Sequence, residues 1–266
     1  MRITFLGTGT STGVPMIGCS CPVCQSKDPA NQRLRSSIHI QSGEKSLIVD
    51  TTTDFRLQCL RAGIDRVDAV IYTHEHADHI LGVDELRPLC LRQDSRIPLY
   101  GSARVLENIR RIFPYAVHQP PPYKGLPQVD LHEITGTFRI GHIGITPFEL
   151  PHGPRFKSHG FIFNEGRGPC LGYFTDCKAV PENARRSLKG IKILILDALR
   201  KNDHLTHLTL SEALEIVREI QPGHAYFTHM NHEMDHATVS AELPRGVQLA
   251  HDGLVIDTQQ AKPRDS

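Results

Sequence analysis

Thr73-His-Glu-His-Ala-Asp-His79 places His74, His76, Asp78 and His79 side by side, directly after the apolar run Asp68-Ala-Val-Ile-Tyr72. That run reads as a short buried strand. Imidazole and carboxylate together suit zinc, manganese or iron, and such a set can keep a position open for water. Left unpaired at the end of a buried strand, groups this polar would be costly. A solvated histidine-rich turn explains the pattern less well, because isolated surface histidines seldom alternate and then abut an aspartate.

The rest of the composition narrows the setting. A chain of 266 residues with 39% apolar side chains can bury a sizeable core as one large α/β domain. Its net charge of +1 draws it towards neither nucleic acid nor membrane. Tryptophan is absent and aromatics make up only 6%, which argues against a stacking platform for single-stranded nucleic acid. No run has the length of a membrane span. The opening Met1-Arg-Ile-Thr-Phe-Leu-Gly7 reads as a first strand rather than a signal peptide, so a cytoplasmic protein is expected.

Seven cysteines in such a chain are not a disulfide framework. Cys59, Cys90, Cys170 and Cys177 are scattered and read as core residues. Cys19, Cys21 and Cys24 form Cys-x-Cys-x-x-Cys in the segment 18–25, a spacing that lets one loop turn three thiolates onto a single ion. A reactive or incidental thiol cluster is the alternative.

Apolar runs predict strands near 2–6, 37–41, 46–50, 68–72, 97–100, 143–149, 159–164, 170–174, 192–197, 224–228 and 254–257. Helical periodicity predicts helices near 53–62, 83–91, 103–112, 181–188 and 209–220, the last opened by Thr209 with Glu212 three positions on. Strands and helices alternate without repeats, so residues 1–258 read as one α/β domain, followed by a frayed tail over 259–266. The proline-rich segment 119–125 is expected to be a loop overhanging a site. Gly7-Thr-Gly-Thr-Ser-Thr-Gly13 lacks the spacing of a nucleotide-binding fingerprint and reads as a tight loop with close backbone approach.

Residue types that could complete a metal centre recur downstream. His152, Asp176 and His229 each sit just past a predicted strand, where open α/β sheets place their sites. This set, in this order, resembles the metallo-β-lactamase superfamily, and the resemblance runs from the first strand to the last. It implies a four-layer αββα sandwich with a dinuclear site at one edge. His74, His76 and His152 would hold one divalent metal, Asp78, His79 and His229 the other, and Asp176 would bridge them. Zinc or manganese would serve, at a separation of ~3.5–4 Å, with a bridging hydroxide as the hydrolytic nucleophile. True β-lactamases carry a cysteine where Asp176 stands; Cys177 is only adjacent, which counts against lactam hydrolysis.

The cysteine loop, with His232 in Thr228-His-Met-Asn-His232, is similar to that of the PhnP-like phosphodiesterases. In that group three cysteines and a histidine hold a structural zinc, here Cys19, Cys21, Cys24 and His232, a closed site that pins a loop and does no chemistry. The resemblance also gives His207 the part of general acid or phosphate contact, beside Asp78 as a further catalytic residue, with His204 as a weaker rival. Asp197 is expected to orient a ligand histidine, and Glu75 to be a spacer facing away from the metals. The expected activity is hydrolysis of a small phosphodiester, cyclic or nucleotide-like, with a homodimer admitted by the resemblance. The alternatives are a tRNase Z-like endonuclease, for which Arg33, Arg35, Arg110 and Arg111 would supply local positive charge, and a glyoxalase-like thioester or lactone hydrolase. A non-catalytic carrier resembling the PqqB-type proteins is a third.

Overall fold

The computed structural model describes residues 1–120, 125–166 and 168–259. The centre of the proline-rich loop and the tail from 260 onwards lie outside the described residues. In the first sheet β1 (Arg2–Gly7), β2 (Ser37–Ser42) and β3 (Lys45–Val49) form an antiparallel meander. β4 (Ala69–Ile71), β5 (Ile97–Gly101) and β6 (Val129–Glu133) extend it in parallel, and β14 (Val255–Asp257) covers the free side of β1. In the second, β7 (Phe138–Ile140), β8 (Ile143–Pro151), β9 (Lys157–Asn164) and β10 (Pro169–Phe174) alternate in direction. β11 (Ile193–Asp197), β12 (His224–Thr228) and β13 (Val247–Leu249) then run parallel to β10.

Helices α1 (Phe55–Ala62), α2 (Ala77–Ile80), α3 (Arg87–Gln93), α4 (Ala103–Ile112) and α5 (Pro114–Val117) belong to the first half of the chain. Helices α6 (Glu182–Leu188), α7 (Leu210–Ile220) and α8 (His236–Glu242) belong to the second. Because strand side chains alternate between faces, each buried strand feeds two cores. On β11, Ile193 and Ile195 enter the layer between the sheets with Phe5, Ile40 and Phe161, whereas Leu194 and Leu196 pack with Leu188, Ala213 and Val217 of the helices. On β3 and β4, Leu47, Val49, Ala69 and Ile71 face the other sheet, while Ile48 and Val70 pack with Phe55, Val105 and Ile109. Strands wetted on neither face appear in sequence as unbroken apolar runs. The result is the expected four-layer αββα sandwich.

The direction of the strands gathers the polar residues. β3 and β4 run parallel, as do β10, β11 and β12, and β8 shares their sense because both it and β10 are antiparallel to β9. Asp50, His74, His152, Asp176, Asp197 and His229 therefore all follow carboxyl ends of strands at one edge of the sandwich. The Thr73 carbonyl accepts from the His159 amide (2.9 Å), which laces the two sheets together there. The 7–13 loop makes the expected close approach: a Cβ at Gly7 or Gly9 would meet the backbone of Arg35 or Arg33, and the Met230 amide donates to Thr8 O.

Candidate metal centre and active site

Three residues at this edge have left-handed backbone: Asp50 (φ 65°), Asp176 (φ 55°) and His229 (φ 60°). Such conformations cost ~1–3 kcal/mol apiece and persist only where the surroundings dictate them. Each turns the chain sharply as it leaves its strand.

The structure brings His74, His76 and His152 into one group and Asp78, His79, Asp176 and His229 into another. The outer nitrogens of His79 and His152 are tied to protein. His79 Nδ1 donates to Asp50 Oδ2 (2.8 Å), and Asp50 is fixed in turn by the Thr73 amide and hydroxyl (both 2.8 Å). His152 Nδ1 donates to the Thr206 carbonyl (3.1 Å). The inner nitrogens converge instead. His152 Nε2 lies 3.3 Å from His76 Nδ1, and Asp176 Oδ2 lies 3.2 Å from both His79 Nε2 and His229 Nε2 and 3.6 Å from His74 Nε2.

The Nε2 atoms of His74, His79 and His229 are buried, yet none has a hydrogen bond, despite the nearby carboxylate. Close approach without hydrogen-bond direction is what neighbouring ligands of one ion display. Bonds of ~2.0–2.1 Å in a tetrahedron put ligand atoms about 3.3 Å apart. The donor set therefore fits divalent metal on an observation independent of residue type, since buried orphaned nitrogens are otherwise expensive.

Electrostatics point the same way. Burial opposes charge on His79, but Asp176, Asp78 and Asp50 outweigh it and hold its pKa well above the ordinary histidine value. Burial likewise opposes ionisation of Asp176, yet His229 and His79 keep that carboxyl well below its usual range. His74 is held neutral by burial and by His79. The cluster thus keeps carboxylates charged in a buried place, an environment matched to a cation.

His207 stands against this cluster, its ring stacked on His229 (4.6 Å, 13°) and edge-on to His152 (4.8 Å). Its Nδ1 donates to Asp197 Oδ2 (2.8 Å), which also accepts from the Cys177 amide (2.9 Å). Here the expectation for Asp197 needs correcting: its partner is His207, outside the seven expected ligands, because the loop after β11 folds back and the Thr209–Glu212 capping box starts α7 two residues later. His204 lies farther out, 5.2 Å from the His207 ring. Asp50, the carboxylate that does orient an expected ligand, was not singled out in sequence. Its signal was an aspartate closing the apolar run 46–50, as Asp197 closes 193–196. Glu75 does turn to another partner: its Oε1 accepts from Arg104 Nε (2.6 Å).

Cys19, Cys21, Cys24 and His232 form a separate group. His232 Nδ1 lies 3.2 Å from Cys19 Sγ and 3.4 Å from Cys21 Sγ. The Cys24 amide, donating to Cys21 Sγ, leads in lowering that thiol to about 6, whereas burial lifts Cys24 to about 11. Arg33, proposed above as part of a basic surface, is buried at 2% exposure. Its guanidinium donates to the carbonyls of Asn231 and Met234 and to Asn31 Oδ1, bolting the amino-terminal segment to the loop that carries His229 and His232. Arg35 pairs with Asp54 (3.0 Å), so of the four arginines only Arg110 and Arg111 remain as exposed charge. No helix among the described residues is long and apolar enough to cross a membrane.

Residues 45–230 match the model of the β-lactamase superfamily domain. A solved diphosphatase from the PhnP family is similar over 96% of this chain and 97% of its own, with 39% identity and a TM-score of 0.88. A ribonuclease Z of Myxococcus xanthus is 31% identical, over 97% of each chain. An octanoyltransferase of Porphyromonas gingivalis is 34% identical across the whole of this chain, which spans 54% of that protein's length. The chain belongs to the metallo-β-lactamase superfamily and is PhnP-like.

Proposed function

We propose that this superfamily hydrolase cleaves a small phosphodiester with two divalent ions, zinc or manganese. His74, His76 and His152 would hold one ion, Asp78, His79 and His229 the other, with Asp176 shared between them. The observation that carries this reading is the convergence of orphaned imidazole nitrogens on Asp176 beside the His207–Asp197 pair. When bound, such an ion pair supplies an activated water and neutralises charge on phosphoryl oxygens.

The chain's own residues supply the proton traffic. Asp197 accepts a hydrogen bond from Nδ1–H of the His207 imidazolium, so that proton stays on the ring and Nε2 is the nitrogen free to give up its own. As oxygen from water bonds to phosphorus and the ester P–O bond breaks, His207 passes its Nε2 proton to the leaving alkoxide. Asp78, 3.2 Å from His79 and largely buried, is positioned to take the proton from water. General acid catalysis contributes ~10²–10⁴-fold, and most where the leaving group is poor. A structural zinc would sit at Cys19, Cys21, Cys24 and His232.

Metal analysis of the purified protein, beside rates on a cyclic nucleotide, bis(p-nitrophenyl) phosphate, a diphosphate diester and a thioester, tests the reading. His207→Ala should slow an alkyl ester far more than a p-nitrophenyl ester; equal loss on both would sink the general-acid assignment. The similarity to a diphosphatase makes a diphosphate-bridged diester a natural member of the panel. RNA processing is the second reading, favoured by the M. xanthus relative. Against it stand the balanced charge and the engagement of Arg33 and Arg35 within the fold. Correct 3′ cleavage of a pre-tRNA, with binding that falls steeply with salt, would decide for it.

A further inference from the structure

One aromatic side chain near the centre is used by no core. Phe156 sits between β8 and β9, is 37% exposed, and joins none of the hydrophobic clusters. Its ring meets His76 edge-on (4.9 Å, 71°), and its carbonyl accepts from the His152 amide (3.1 Å), so it borders two members of the three-histidine group. The Arg104 guanidinium lies over the ring at 5.3 Å. That cation is held by Glu75, whose side chain is only 9% exposed. The glutamate inside the histidine motif therefore fixes an arginine from α4, and the arginine braces the phenyl ring.

On the far side of His152, Thr206 binds its ring and the preceding Leu205 is 69% exposed. A part-exposed aromatic ring at the lip of a phosphate-handling site, its position set by an arginine that Glu75 neutralises, matches a substrate whose organic part is flat. Every nucleobase offers a π face to such a ring, and arginine adds a cation–π contact.

We infer that Phe156, braced by Arg104 and Glu75, is the stacking platform for a nucleobase, so the substrate is a nucleotide phosphodiester rather than an aliphatic one. This rests on the phosphodiester reading above. Phe156 is a specificity residue and takes no part in the chemistry.

The chain contains no tryptophan, so Phe156→Trp gives a single fluorescent reporter. In the metal-loaded protein, AMP should quench the indole emission and ribose 5-phosphate should not. Phe156→Ala, with metal content and circular dichroism unchanged, should lose about tenfold in kcat/KM on 2′,3′-cyclic AMP and keep its rate on glycerol 1,2-cyclic phosphate, with Phe156→Tyr restoring the loss. Absence of quenching by AMP, or equal loss on both cyclic phosphates, overturns the platform. If the wild type cleaves neither ester, the phosphodiester reading falls, and the quenching result still decides for or against stacking.

Discussion

The two polar clusters are built in opposite ways. The histidine–aspartate cluster hangs from the ends of six strands, each registered in a sheet, and its rings are aimed by buried partners such as Asp50 and the Thr206 carbonyl. The cysteine cluster has no regular element beneath it. Cys19, Cys21 and Cys24 lie in turns that share a small apolar cluster with Val14, Met16 and Val23, and are tied across to His232. The first geometry is set by strand register and by hydrogen bonds between protein groups. The second is held by hydrogen bonds from loop amides to its sulfurs and from Arg33 to the loop carrying His232, and the zinc proposed there would be its main tie, as in small metal-stabilised loops.

If that contrast is right, changes in the two clusters should have different consequences. The largest effect is expected at Asp176. Asp176→Ala removes the carboxylate facing three histidines and should lower turnover by roughly 10³-fold, the equivalent of several kcal/mol, while thermal unfolding moves little. A collapse of Tm with loss of the folded state would show that the strand-end cluster is not preorganised.

Cys21→Ser should do the reverse. It is expected to release one equivalent of zinc and cost about 3 kcal/mol of stability, read as a Tm lowered by about 6–12 °C, with the other metals retained. Retention of every metal equivalent would break the comparison. The smallest effect is expected at Asp50→Asn, which keeps the shape but replaces the carboxyl group behind His79 with an amide. Metal affinity there should fall ~10–100-fold, measured by competition with a chelator, and the cysteine site should be unaffected.

Much of this was legible in sequence because the strands are short, apolar and buried on both faces, and because the ligand types stand at their ends. β6, β7 and β13 escaped because Val129–Glu133 is half-exposed, and Phe138–Ile140 and Val247–Leu249 are each interrupted by a polar residue, Arg139 and Gln248. Helices α2 and α5, four residues each, are too short for a 3.6-residue period to show, and α8 buries Val239 alone, which leaves no apolar stripe. Asp197 was correctly read as a carboxylate behind a histidine, but which histidine depends on how a loop folds back. The chain of contacts from Glu75 through Arg104 to Phe156 joins three distant segments, none of which carries a local signal. Arg33 misled for the same reason: an arginine in a polar stretch reads as surface until its carbonyl acceptors are known.

The short loop from His229 to His232 also bears on how the protein is made. The chain leaves the ribosome from its amino end, and the three cysteines emerge about two hundred residues before the imidazole that closes their group. His74, His76 and His152 are all available once residue 152 is out, whereas the group around Asp176 waits for residue 229. Until residue 229 is out, the three-histidine group is the one of the three whose members are all present. The other two groups close almost together, when the loop locked by Arg33 falls into place.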